Sequence, residues 1–314
     1  MKDTGRQAAD PGYGKVREMR DTGRQTADPG KAREAQAVAQ DPWSELRRHT
    51  DARIALGRCG VSLPVARWLE FRLAHAQARD AVRTFFDREY LIDRLKARGI
   101  ACLNLASAAD DLETFLARPD LGRRLSAASA AALEEYARTH GAEGGVGANV
   151  CLVVSNGLSA RSIHDNAAPF IDELLPLLDR AGLSVSPAVL VQNGRVAVAD
   201  EVAYGLRAEL SVILVGERPG LSSPNSMGVY MTYAPKPGCT DEARNCISNV
   251  RPGGLEYAAA ARKLCYLVQS AFACRYSGVR LKDDMPDTGL PSGLSTSGMN
   301  RIPGFRVSPA CCKN

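Results

Sequence analysis

The sequence predicts an α/β protein with a doubly wound, mostly parallel sheet over residues 148–280. An all-α helical region over 41–140 precedes it, and disordered tails at 1–40 and 283–314 flank the two. Apolar residues recur at helical spacing in the first region, whereas short apolar runs alternate with helical stretches in the second. A Gly-rich segment at 141–147 separates these patterns. A chain of 314 residues, 45% of them hydrophobic, is long enough for two domains.

The predicted tails lack the means to build a core. One polar decapeptide, D-T-G-R-Q-[AT]-A-D-P-G, starts at Asp3 and again at Asp21. Because it has few apolar residues and a Pro-Gly pair in each copy, residues 1–40 are predicted to be disordered. A docking peptide that folds on a partner is the alternative. Residues 283–314 are rich in Pro, Gly and Ser without any period, and disorder is expected there as well.

The helical region begins at Asp41-Pro42, an N-cap followed by Pro at the first helical position. A longer helix is predicted from Val65 to Phe85, with apolar positions at Val65, Leu69, Leu73, Ala76, Val82 and Phe85. Further helices are expected over 90–97, over 107–117 with Ser107 as N-cap, and over 126–139. The arginines of these helices leave open a helical DNA-binding regulator, against which their acidic residues argue.

Short apolar runs predict the strands of the α/β region. Strands are expected over 149–154, 187–191, 210–215, 229–233 and 245–250, and helices over 167–181, 200–207 and 255–274. Asn193-Gly194 is typical of a two-residue hairpin turn, so residues 195–198 are predicted to fold back antiparallel beside 187–191.

The strand over 210–215 leads into a charged turn bracketed by glycines, Gly216-Glu217-Arg218-Pro219-Gly220. In an open parallel sheet, ligands bind at the carboxyl ends of the strands, so this turn is a candidate binding edge. The alternative is an ordinary surface turn that carries a solvated Glu and Arg.

Several kinds of chemistry are not indicated. The 40 basic residues are nearly matched by 35 acidic ones, which does not favour a nucleic-acid binder. Nine cysteines without metal-ligand spacing are interpreted as reduced thiols in an intracellular protein, with no metal site. No apolar run of bilayer length and no signal peptide is apparent. The absence of a Gly-rich phosphate motif or a nucleophile elbow weakens the main alternative, an independent nucleotide-binding α/β enzyme, and no catalytic residue is predicted.

Seven blocks of the sequence resemble the small (light) subunit of ethanolamine ammonia-lyase. They are E-L-R-R-x-T-x-A-R from Glu45, G-R-C-G from Gly57, R-P-D-L-G-R-R-L from Arg118, S-N-G-L-S from Ser155, G-R-V from Gly194, L-V-G-E-R-P-G-L from Leu214 and C-I-S-N from Cys246. The blocks occur in the expected order, and the sixth and seventh are the most specific.

The resemblance implies an adenosylcobalamin-dependent lyase that converts ethanolamine to acetaldehyde and ammonia by a radical mechanism. It places the substrate pocket in a large partner subunit, while this chain, itself non-catalytic, covers the cobalamin at the interface. The family's cobalamin contacts carry over to Val196, Glu217 and Cys246. Val196 is expected to pack on the corrin rim, Glu217 to accept hydrogen bonds from corrin amides, and Cys246 to offer a small soft contact. A buried core thiol is the alternative for Cys246.

The resemblance also implies partners and a location. The helical region, with Trp43 and several arginines, is the candidate surface for docking to the large subunit of the hetero-oligomer. The expected location is cytoplasmic, in a bacterial microcompartment, reached in some members through an amino-terminal peptide. The Pro-Gly repeat at 1–40 departs from such a peptide. The D-x-H-x-x-G pattern by which some cobalamin proteins supply an axial His is also missing.

Overall fold

The computed structural model describes Ala39, residues 41–141 and residues 143–285. The predicted tails fall outside the described residues, apart from Ala39 and residues 283–285. The strands are β1 (Cys102–Ala106), β2 (Val150–Ser155), β3 (Ala188–Gln192), β4 (Leu210–Gly216), β5 (Met227–Tyr233) and β6 (Arg244–Val250). The α-helices are α1 (Val65–Arg83), α2 (Arg88–Lys96), α3 (Leu112–Ala117), α4 (Ala127–His140), α5 (Ala160–Arg180), α6 (Val198–Gly205) and α7 (Tyr257–Cys274).

One six-stranded sheet, in the order β1-β3-β2-β4-β5-β6, organises the fold. The first four strands in that order are parallel, and β5 and β6 run antiparallel to their neighbours. Side chains of α2, α5 and α7 pack on one face of the sheet, and those of α4 and α6 pack on the other. Helices on both faces of a mostly parallel sheet confirm the predicted doubly wound α/β fold.

The two central strands show why this sequence forms a sheet that is covered on both sides. Every residue of β2 and of β4 is buried, and both strands are rich in Val, Leu and Ile. Because β-branched and apolar residues on both faces need cover from both sides, such runs belong in the middle of a parallel sheet. The helix α5 supplies much of that cover, and Ser159 caps its first turn by accepting the backbone N–H of Ser162.

The region predicted to be all-helical contains a strand, and this prediction was wrong. Strand β1 pairs in parallel with β3 along its whole length, from Cys102 opposite Ala188 to Ala106 opposite Gln192. The run is short and lies at the sheet edge, so it carries no continuous apolar pattern, and its pairing with β3 decides its conformation. Ser107 is not an N-cap either, because α3 begins after Asp111, whose carboxylate accepts the N–H of Thr114.

The predicted hairpin at Asn193-Gly194 is also wrong, because the chain turns there into α6 instead of a strand. The Asn193 N–H donates to Asn156 Oδ1 at 2.7 Å, and Asn193 Nδ2 donates to the Ala109 carbonyl at 3.0 Å. Asn193 does adopt a positive φ of 54°. An Asn-Gly pair suits any tight turn, and here buried partners from neighbouring segments select a connection from strand to helix.

Helix α1 forms where it was predicted, yet its apolar stripe is not part of the core. Leu69 is 54% exposed and Leu73 is 61% exposed, and Val65 and Trp68 are exposed as well. The small Ala74 and Ala81 are the buried residues of this helix. An uncovered stripe of large apolar side chains is typical of a surface that binds another protein. Among the described residues, no helix is both long and apolar enough to cross a membrane.

The contact between α5 and the segment before α2 gives stability a pH dependence. His164 is half-buried, and its Nε2 accepts the Asp87 N–H at 3.1 Å. Burial lowers the pKa of His164 below its ordinary 6.5, although the negative charges of Asp87 and Asp165 oppose this. Because the folded pKa is the lower one, the contribution of the neutral ring is complete above about 6.5 and is lost as the pH falls below that value.

We therefore expect the free energy of unfolding to fall more on acidification in the native chain than in His164→Gln. A glutamine keeps an acceptor for the Asp87 N–H but does not titrate. Urea unfolding at about pH 7.5 and about pH 5.5 measures the difference. An equal pH effect in both chains would contradict the assignment.

Candidate functional site

Val196 lies in the turn between β3 and α6, and the end of β2 holds that turn in place. The hydroxyl of Ser155 accepts the Gly194 N–H at 3.0 Å and donates to the Gly194 carbonyl at 3.1 Å. Val196 itself is half-buried and packs against the hydrophobic cluster on the α4/α6 face of the sheet. Its backbone position therefore follows from the packing of β2 beside β3.

Glu217 follows β4 directly, and a close backbone approach fixes where that strand ends. A Cβ atom on Gly216 would lie 2.3 Å from the carbonyl oxygens of both Asn156 and Ser159. Any larger residue would therefore force the end of β4 away from the segment before α5. The Glu217 N–H then donates to the Ser226 carbonyl at 3.0 Å. The glycine of the predicted binding edge thus locks the turn onto the start of α5.

Three donors hold the carboxylate of Glu217. The hydroxyl of Ser248 donates to Oε1 at 2.5 Å, the hydroxyl of Ser226 donates to Oε2, and the Asn249 N–H lies 3.3 Å from Oε2 and 3.4 Å from Oε1. Gly228 leaves the space for this arrangement, because a Cβ there would lie 3.0 Å from Oε1. The side chain is therefore a fixed bridge between the end of β4 and strand β6, not a mobile surface charge.

Cys246 lies on β6, directly opposite Tyr230 of β5 in the strand register, and the residue is exposed. Partial desolvation of the sulfur raises the pKa of this thiol, and the negative charge of Glu217 raises it further, whereas the Tyr230 hydroxyl opposes both. The exposure of Cys246 excludes the alternative of a buried core thiol.

Tyr230 lies near two of the residues that the resemblance singled out, Glu217 and Cys246, and shares a face of the sheet with the third, Val196. It packs, like Val196, against the hydrophobic cluster on the α4/α6 face. Burial raises the pKa of Tyr230, and the adjacent Cys246 thiol and then the Glu217 carboxylate raise it further. Val196, Glu217 and Cys246 therefore share the side of the sheet on which Tyr230 lies, which we call the Tyr230 face.

Sequence reasoning missed four residues of this face: Tyr230, Ser226, Ser248 and Arg244. Two of them had a detectable signal, because side chains alternate along a strand and so Arg244, Cys246 and Ser248 of β6 point to the same side. Tyr230 joins this face because β5 pairs with β6, which places Tyr230 opposite Cys246. Ser226 joins it because the turn after β4 brings Ser226 beside Glu217. The sequence does not specify that pairing.

A buried ion pair joins the two elements that border the Tyr230 face, helix α6 and strand β6. Arg244 of β6 and Asp200 of α6 approach to 2.7 Å, and both side chains are only 3% exposed. Arg244 also donates to the Thr232 hydroxyl at 3.1 Å and to the Cys239 carbonyl at 2.8 Å. Because α6 begins directly after the turn that carries Val196, this pair fastens that turn to the strand that carries Cys246.

The Tyr230 face combines an apolar side chain with polar groups. It presents one apolar side chain, a thiol, a phenol and a carboxylate whose oxygens are held by hydroxyl groups. The part of the chain that the structure describes holds no group of three or more His, Cys, Asp or Glu side chains able to bind a metal ion. Such a surface suits a large ligand with an apolar body and polar edges.

A cavity of about 770 Å³ lies at the opposite end of the sheet and is unrelated to this face. Its lining includes Ala101, Ala148 and Pro187, the residues before or near the starts of β1, β2 and β3, together with glycines of the 141–147 segment. Ligands of doubly wound sheets bind at the carboxyl ends of the strands. The position of this cavity therefore does not support a nucleotide site.

Comparison with known proteins gives a consistent result. The model of the ethanolamine ammonia-lyase light chain family matches residues 40–282. A relative named ethanolamine ammonia-lyase small subunit, from Azotobacter vinelandii, is 54% identical over 261 residues, which are 83% of this chain and 95% of the relative. The protein of that name from Ralstonia nicotianae is 56% identical over 246 residues, 78% of this chain and 90% of the relative. The one from Pseudomonas syringae is 49% identical over 265 residues, 84% and 91% of the two chains.

Proposed function

Because this chain belongs to the ethanolamine ammonia-lyase light chain family, we propose that it is the small subunit of an adenosylcobalamin-dependent ethanolamine ammonia-lyase. In this proposal the chain covers the cobalamin at the interface with a large catalytic subunit and is itself non-catalytic. The observation that supports it best is the grouping of Val196, Glu217 and Cys246 on the Tyr230 face.

The residues of that face fit the chemistry of a corrin. Its ring has an apolar rim, for which the half-buried Val196 is a suitable neighbour. Its peripheral carboxamides are hydrogen-bond donors, and Glu217 offers carboxylate oxygens to them. Cys246 provides a small polarisable contact beside the aromatic ring of Tyr230. Adenosylcobalamin, when bound, supplies the radical that starts the removal of ammonia from ethanolamine, and this chain's share is to hold the corrin and keep water away.

The partner surface in this proposal is the exposed stripe of α1 together with the segment before it. The relatives are named small subunits, a name that implies a large one. Trp43 is 65% exposed, and Leu69, Leu73 and Trp68 of α1 are also exposed. Exposed Trp and Leu side chains within one region are the kind of apolar anchors that protein interfaces bury. The large subunit is therefore the proposed cover for this stripe.

Replacing Leu73 with Glu should weaken assembly with the large subunit while leaving the fold of this chain intact. The substitution puts a charge in a surface that would be buried, at a position that makes no core contact in this chain. Size-exclusion chromatography of the co-expressed subunits measures the change. Leu116→Glu makes the same substitution at a leucine of α3 that is 44% exposed and lies outside the stripe, and it serves as the control. Normal assembly of Leu73→Glu would rule out the stripe as the docking surface.

A mixing experiment tests the proposed function as a whole. The large subunit encoded with this chain is purified separately, and ethanolamine deamination is assayed with adenosylcobalamin for each subunit alone and for the mixture. Activity that needs both chains and the cofactor supports the proposal. Deamination by the large subunit alone, or failure of the mixture to bind cobalamin, contradicts it. An independent nucleotide-binding enzyme or a DNA-binding regulator would show no such dependence.

The expected location in the cytoplasm, within a bacterial microcompartment, stays a prediction. The segment at 1–40 on which targeting would depend lies outside the described residues except for Ala39.

A further inference from the structure

In the hydrogen bonds around Glu217, the serine hydroxyls are the donors and the carboxylate oxygens are the acceptors. This assignment determines which ligand groups can bind beside Glu217. A serine hydroxyl has a single hydrogen to donate. Ser248 directs its hydrogen to Glu217 Oε1 at 2.5 Å, and Ser226 directs its own to Oε2. The Ser248 oxygen is thus left with lone pairs only, and the Glu217 carboxylate accepts from every partner that it has. We call the oxygens of Glu217 and Ser248 the acceptor pair.

The two serines differ in exposure. Ser226 is 4% exposed, so its hydroxyl donates to the Glu217 carboxylate from the interior of the protein. Ser248 is exposed and follows Cys246 at the next position on the same side of β6. Ser248 is therefore the serine that a ligand on the Tyr230 face can reach, whereas Ser226 only positions the carboxylate.

We propose that Ser248 is a further binding residue of the Tyr230 face, held by Glu217 as an obligate acceptor, and that the acceptor pair selects a carboxamide over a carboxylate on the corrin edge. This inference rests on the proposed function. A carboxamide offers N–H donors to the two oxygens, whereas a carboxylate would face only lone pairs and the negative charge of Glu217. Glu217 acts here both as a contact and as a positioning residue for Ser248.

The test measures binding rather than turnover. Equilibrium dialysis with the complex of both subunits gives the affinity for cyanocobalamin. The same measurement is made for derivatives in which one peripheral carboxamide has been hydrolysed to a carboxylate, one positional isomer at a time. The native complex should prefer the amide form by tenfold or more for the isomer that faces the acceptor pair. Ser248→Ala should bind the amide form about three- to tenfold more weakly, as expected for one lost hydrogen bond. It should also discriminate less between the two forms.

Two variants separate a contact from a structural effect. Ser248→Thr keeps a hydroxyl and suits a strand, so it should bind more like the native protein than Ser248→Ala does. Ser226→Ala removes a donor to the same carboxylate at a position that the ligand cannot touch, so Ser248 and the preference for the amide form should remain.

Three results would overturn the inference: native affinity in Ser248→Ala, an equal loss in Ser248→Thr, or no preference between amide and carboxylate for any isomer. If the native complex binds cobalamin, each of these results overturns the inference about Ser248 but leaves the proposed function standing. A native complex that binds no cobalamin removes both.

Discussion

Replacing Arg244 with Met should lower the free energy of unfolding by about 3–5 kcal/mol, because it leaves the buried carboxylate of Asp200 without its cationic partner. The two side chains approach to 2.7 Å at 3% exposure, so water cannot take the place of the guanidinium. The loss also removes the donors to Thr232 and to the Cys239 carbonyl. Urea unfolding followed by circular dichroism measures the change.

Two further variants identify the cause of that loss. The double variant Asp200→Leu with Arg244→Met removes both charges and should recover much of the stability, since replacing a buried ion pair with apolar groups is often neutral or favourable. Arg138→Met breaks the exposed pair with Glu135 and should cost less than about 1 kcal/mol. If Arg244→Met costs no more than Arg138→Met, the pair does not fasten α6 to β6 as described.

Replacing Glu217 with Ala should weaken the binding of cobalamin to the two-subunit complex by about ten- to a hundredfold, the effect of losing hydrogen bonds to a charged group. The variant removes a carboxylate that would meet the corrin amides, and it frees the hydroxyls of Ser226 and Ser248 that the carboxylate now orients. Turnover at saturating cofactor should persist, because the substrate pocket of the proposed complex belongs to the large subunit.

Spectroscopic titration of the complex with cobalamin gives the affinity, and a deamination assay at high cofactor gives the turnover. Glu209→Ala is the matched control. Glu209 is an exposed glutamate whose carboxylate accepts a hydrogen bond from Asn149, and it precedes β4, at the opposite end of that strand from Glu217. Unchanged affinity in Glu217→Ala would remove Glu217 from the cofactor site. An equal loss in Glu209→Ala would point to a general effect on the fold.

Most of the sheet was predictable from short-range pattern. Strands β2 to β6 and helices α5, α6 and α7 lie close to the predicted positions, although α5 begins earlier than expected. The apolar, β-branched run of β4 is buried on both faces, as such a composition requires. The wrong predictions at β1 and at Asn193-Gly194 concern places where the local sequence pattern was weak or ambiguous. Strand β1 takes its conformation from pairing with β3, and the Asn193-Gly194 turn takes its direction from buried contacts with Asn156 and Ala109.

The candidate site divides in the same way. The resemblance in sequence singled out Val196, Glu217 and Cys246, and their contact with cobalamin stays a prediction. That Cys246 is exposed, that Tyr230 lies near both Cys246 and Glu217, and that two serines orient the carboxylate was not predictable, because these contacts depend on the pairing of β5 with β6 and on the turn after β4. Residues distant in the chain meet there through strand register.

By itself, the sequence determined the class of fold, the bounds of most elements, the family and the turn at Glu217, because periodicity and short motifs are properties of neighbouring residues. Tertiary structure alone decided that β1 belongs to the sheet, that the stripe of α1 lies uncovered, and that Asp200 meets Arg244. The physical reason is that burial, strand pairing and the satisfaction of buried charges are settled between segments far apart in the chain, where no local pattern records them.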